Sequence, residues 1–159
     1  MKNILYLFLA VTMFACSSGG DDNNSNETFL ERYDGVVWDI IDGEVTSGLI
    51  MFSNNTQGWI EKSDNNANDE FCNDYAFGVP FDICIDNTNA CETNVATIIE
   101  NLGNRLKIQI TEIDVERPFS YTVLYEVSEQ ANDMNITYTT INSWLQTATR
   151  TEMAQISCP

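Results

Sequence analysis

The stretch Asn94–Ile113, NVATIIENLGNRLKIQITEI, decides the fold. In its second half Leu106, Ile108 and Ile110 alternate with Arg105, Lys107 and Gln109. A period of two sends apolar side chains to one face of a strand and polar ones to the other, so this half reads as a strand with one buried and one wet face. Its first half, NVATIIEN, is rich in β-branched residues that suit a pleated surface. Between the halves, Leu102-Gly103-Asn104 is a turn signal, and the whole reads as a β-hairpin.

Working outward, the same pattern recurs. PFSYTVLYEV places Phe119, Tyr121, Val123, Tyr125 and Val127 on one face, with Pro118 at the strand start, where a missing N–H costs little. Upstream, GVVWDII leads into Asp42-Gly43, a two-residue hairpin turn, and then into EVTSGLIMFS. NNTQ separates that run from GWIEKS, Gly58–Ser63. Downstream come MNITYTTI and, as the expected last strand, TATRTEMAQIS, residues 147–157. Residues 27–33 suit a short helix. The polar, Asn-rich region from Ser63 to Asn94 reads as an elaborated loop with one or two short strands. About eight strands at turn spacings of roughly 8–12 residues predict an all-β, antiparallel meander closed as a barrel or sandwich.

The N-terminus has a different character. Met1 and Lys2 precede an apolar run from Ile4 to Ala15. Twelve helical residues span about 18 Å at ~1.5 Å each, short of a hydrocarbon core of about 30 Å. The run therefore reads as a secretory signal over residues 1–15 rather than as a spanning helix. Residues 16–30 begin with Ser, Gly, Asp and Asn and read as a flexible tether. Residues 31–159 are left as one barrel domain, a size that suits a single core.

Charge narrows the partners. The chain has 24 acidic and 7 basic residues and a net charge of −17. Phosphate backbones are bound through Lys and Arg, so nucleic acid is not an expected partner. There is no histidine, which removes Ser-His-Asp and Cys-His catalysis and the HExxH zinc site. A carboxylate pair could still hydrolyse a glycoside, but nothing in the spacing singles one out. Asp64, Asn66 and Asn68 begin like a calcium loop, yet Asp69 and Tyr75 stand where Gly and Glu are required. A looser set, Asp64, Asp69, Glu70 and Asp74, reads better as a solvated acidic loop. The expectation is a non-enzyme with no metal and no cofactor.

Five cysteines complete the pattern. Cys84 and Cys91 flank the turn formers Asp86-Asn87-Thr88-Asn89. A four-residue hairpin loop would set Ile85 opposite Ala90 and Cys84 opposite Cys91, within disulfide reach. That pairing leaves Cys72 for Cys158, a bond that would staple the C-terminus to the middle of the chain.

Met13-Phe14-Ala15-Cys16 resembles a bacterial lipobox, with Met13 and Phe14 in place of its usual residues. The resemblance implies that Cys16 is acylated and anchors the protein to a membrane. The acidic cluster after it resembles the surface-export signal of Bacteroidota lipoproteins, which implies the outer membrane, on its periplasmic or cell-surface face. Lipid anchor, tether and strand meander together resemble the small lipocalin-like lipoproteins of that group, which fold as calycin-type barrels. Lipocalins carry Gly-x-Trp on the first strand and an Arg over that Trp near the last. Gly35-Val36-Val37-Trp38 is one residue longer, and Arg150 is the counterpart of the arginine. The resemblance implies a small apolar or sugar-like ligand in the barrel, with Trp38, Trp59, Tyr121 and Tyr125 as candidate contacts. The alternative is a protein-interaction lipoprotein whose aromatics fill a packed core.

Overall fold

The computed structural model describes residues 26–42, 45–63, 72–85, 90–113, 118–140, 143–153 and 155–158. A four-residue helix, α1 (Phe29–Arg32), precedes ten strands. These are β1 (Val37–Asp42), β2 (Val45–Ser53), β3 (Gly58–Ser63), β4 (Cys72–Ala76) and β5 (Pro80–Ile85). They continue as β6 (Ala90–Leu102), β7 (Arg105–Glu112), β8 (Ser120–Val127), β9 (Asp133–Thr139) and β10 (Ser143–Arg150). The spatial order is β4-β3-β2-β1-β10-β9-β8-β7-β6-β5, antiparallel throughout. The sheet coils into a nearly closed barrel in which β1 meets β10, with Trp38 opposite Arg150.

Alternation builds the core. Leu106, Ile108 and Ile110 of β7 point inward and are buried, as are Val123, Tyr125 and Val127 of β8. Phe119, expected on the same inward face, lies before β8 and is exposed.

The two edges, β4 and β5, are consecutive in the chain and close the seam between them without a ladder of their own. The Phe77 N–H donates to the Gln57 carbonyl and the Gly78 N–H to the Ala96 carbonyl, each at 2.8 Å. Gly78 turns there with φ +76°, a left-handed conformation suited to glycine. The Tyr75 and Phe81 rings meet across the seam at 4.7 Å between centroids.

Ten strands replace the expected eight. The extra pair, β4 and β5, lies in the polar, Asn-rich region, where pairing with β3 and β6 imposes the strand regardless of propensity. The chain end is also corrected. The last strand spans Ser143–Arg150, and the residues after Thr151 leave the ladder. This tail crosses the outer face of the sheet instead, where Ile156 packs with Val37, Leu49, Met51 and the partly buried Ile60. A disulfide then joins Cys158 to Cys72 at the start of β4. Ile156 is used as a plug, not as part of a strand face, while Met153 is exposed.

Helix α1 covers one end of the barrel. Thr28 caps it, its hydroxyl accepting from the Glu31 N–H while the Glu31 carboxylate accepts from the Thr28 N–H. Phe29 and Leu30, within the segment expected to be tether, are wholly buried against the barrel core. The Leu30 N–H donates to Asn101 Oδ1 at 3.1 Å, and the Gly103 N–H donates to the Glu27 carbonyl at 3.0 Å. Because the meander alternates direction, the β2–β3, β4–β5, β6–β7 and β8–β9 turns share this capped end. The connections between the opposite strand ends lie outside the described residues or include residues that do.

Candidate functional site

The site forms inside the barrel, starting from GWIEKS. In β3 the alternation puts Trp59, Glu61 and Ser63 on the inner face, while Ile60 faces outward toward Ile156. A carboxylate therefore enters the barrel. The indole Nε1 of Trp59 donates to Glu61 Oε1 at 3.1 Å. Around them is a cavity of about 100 Å³ whose polar lining is Trp59, Glu61, Tyr75, Tyr121, Tyr125 and Tyr138. Phe81, Ile83, Ile110 and Val123 supply its apolar wall.

The electrostatics follow from burial. Desolvation pushes the Glu61 carboxyl above its ordinary pKa, and the hydrogen bond from Trp59 only partly offsets this. No Lys or Arg is among the described lining residues. The four tyrosines move the same way. Burial, then the negative charge of Glu61, pushes Tyr75 up to about 12. Tyr121 rises by burial and by the charges of Glu61 and Glu92, and Tyr125 and Tyr138 rise for the same leading reasons. All four phenols thus stay neutral at ordinary pH, and Glu61 is the only carboxylate among the described lining residues.

At the rim, Trp144 stacks on Tyr138 with ring centroids 4.9 Å apart and planes 7° from parallel. The two are Cα partners across β10 and β9, and Trp144 is 48% exposed. It forms an aromatic ledge beside the cavity wall.

Three of the four aromatics expected at a ligand site, Trp59, Tyr121 and Tyr125, line the cavity together. Trp38 does not. It is wholly buried, its ring 5.9 Å from that of Tyr33, and its Nε1 makes no hydrogen bond. Its Cα partner Arg150 places positive charge close enough to act on Tyr33.

Sequence reasoning missed Glu61 and Tyr138. The available signal was register: Glu61 is two residues from Trp59 and shares its face.

The cysteines divide similarly. Cys72 and Cys158 are bonded to each other. Cys84 is the Cα partner of Cys91, with Ile85 opposite Ala90, the register expected of the hairpin. Cys91 is disulfide-bonded, while the Cys84 side chain lies outside the described residues. Cys16 also lies outside them, as do Asp64, Asp69 and Glu70 of the acidic loop. Asp74 is exposed on β4, and no group of metal-ligating side chains occurs among the described residues.

What the arrangement can do is limited and specific. It offers one negatively charged acceptor, several π faces and four hydroxyls in a small, partly open space. A glycosidase needs two carboxylates across the scissile bond, and one is present among the described lining residues. No protein-family model, curated protein or solved structure matches this chain.

Proposed function

We infer that this protein is a membrane-anchored binding module that holds a small ligand inside its barrel. The observation that carries the reading is Glu61 standing among aromatic side chains in a cavity rather than paired with a cation. An eight- to ten-stranded barrel is wide enough either to be filled by side chains or to enclose one small ligand. The alternative, an interaction lipoprotein with a packed core, accounts for the capped end but gives no role to an interior carboxylate. The lipobox-like Cys16 and the acidic tether support attachment to an outer membrane, and no enzymatic step is needed.

Native mass spectrometry of the full chain, exported and purified without refolding, tests the binding reading. An adduct on the wild type that disappears in Val123→Phe, which fills the cavity, supports it. A bare mass in both overturns it in favour of the packed module. Cys16→Ser is expected to move the protein from the membrane to the soluble fraction; retention at the membrane would refute the anchor.

A further inference from the structure

The chemistry of the ligand follows from what surrounds Glu61, granted the binding reading above. Glu61 is partly buried, and a carboxylate drawn out of water ordinarily acquires a counter-charge or a set of donors, because desolvating it alone is costly. Here the hydrogen bond from Trp59 is the one that the described residues give Glu61, and the described lining residues include no cationic side chain. They carry π faces, which attract cations electrostatically and do so more strongly where water is excluded. The net charge of −17 favours cations arriving at the mouth. We propose that the cavity binds a small alkylammonium cation, with the Glu61 carboxylate as counter-ion and the rings of Trp59, Tyr121 and Tyr138 enclosing its apolar substituents.

Size favours this class over a sugar. A dry protein cavity of about 150 Å³ accommodates benzene. The space here is about 100 Å³ and opens to solvent, so a methylated ammonium head, about as bulky as benzene, would sit partly in the mouth, and a bulkier pyranose with its hydroxyls would fit less well. Donor and acceptor supply agrees, since a quaternary ammonium needs no directed hydrogen bonds, whereas a sugar ring needs many. The groups facing Glu61 are Tyr75 on β4, Tyr121 and Tyr125 on β8 and Tyr138 on β9, with Glu92 of β6 near Tyr121. The phenols are held neutral, so a cation would be bound by ionised Glu61 and lost as that group protonates. Affinity should rise with pH through the Glu61 titration and level off above it.

The test is calorimetric titration of the full chain with tetramethylammonium, choline and 3,3-dimethylbutan-1-ol, the uncharged carbon isostere of choline. Both cations are expected to bind, with the isostere at least ten-fold weaker. Glu61→Gln should weaken the cations ten-fold or more and leave the isostere unchanged. Should that variant fail to fold, the pH dependence of choline binding to the wild type gives the same information. Equal affinity for choline and its isostere, or pH-independent choline binding, would overturn the proposal. If no cation binds while native mass spectrometry still shows a neutral adduct lost in Val123→Phe, the cation is wrong and the binding site stands. If neither is seen, both fall.

Discussion

At the capped end of the barrel, Phe29, Leu30 and Phe52 are wholly buried and their rings interlock, Phe29 with Phe52 at 5.1 Å and Phe52 with Tyr125 at 5.0 Å. Farther along the barrel, inward positions of the same sheet present Glu61, Tyr121 and Tyr138 to a cavity. Tyr125 is the boundary, packed on Phe52 on one side and lining the cavity on the other. One sheet therefore carries two environments. The first is close-packed and apolar, where burial stabilises. The second keeps a desolvated carboxylate, which costs stability and gives nothing to the fold. A local arrangement that opposes stability marks a place where function is the better explanation.

The contrast can be broken most severely at the packed end. Phe52→Ala should cost about 3–5 kcal/mol by urea denaturation, because a buried ring leaves a void its neighbours cannot fill. A cost below about 1 kcal/mol would mean that the capped end is not the core.

The tail connects the two ends, running from β10 at the capped end to Cys72 at the other. Cys158→Ser releases a link spanning 86 residues of sequence and should cost about 2–4 kcal/mol. Ligand binding should survive, since the tail lies outside the barrel.

Gly58→Ala probes the β3–β4 contact that supports the site. An added Cβ would run into the Tyr75 carbonyl oxygen, and overpacking of this kind should cost about 1–3 kcal/mol and disturb Trp59 fluorescence.

Glu61→Gln has the opposite sign. A carboxyl whose folded pKa is raised contributes stability below its unfolded pKa and loses that contribution as pH rises through the folded value. The Gln variant should therefore melt a few degrees above wild type at neutral pH, with the gap closing toward about pH 4. A constant gap across pH would place Glu61 in solvent.

The capped end and the sheet were largely legible in the sequence because they follow periodic rules. Leu106, Ile108 and Ile110 announce their face, Asp42-Gly43 announces a turn, and the Cys84–Cys91 spacing fixes a register. The strands β4 and β5 were only partly legible: one or two short strands were expected in this region and the Cys84–Cys91 hairpin places β5, but CNDYA carries no alternation strong enough to bound β4. Ile156 was read as part of a strand because an apolar residue near a strand pattern does not reveal that it covers the outside of the sheet. Glu61 escaped for a more general reason: a charge in a strand is assigned to the wet face. Only tertiary closure shows that its face is the inner one, shared with Trp59.

The measurement that bears most directly on the interior carboxylate is a pH titration of the Glu61 side chain by carbon-13 NMR, with the Trp59 indole N–H followed in parallel. We expect Glu61 to titrate above the ordinary carboxylate range and the indole resonance to shift along the same curve, as the 3.1 Å hydrogen bond requires. An ordinary pKa, with an indole resonance indifferent to it, would place the carboxylate in water and leave the barrel without a site.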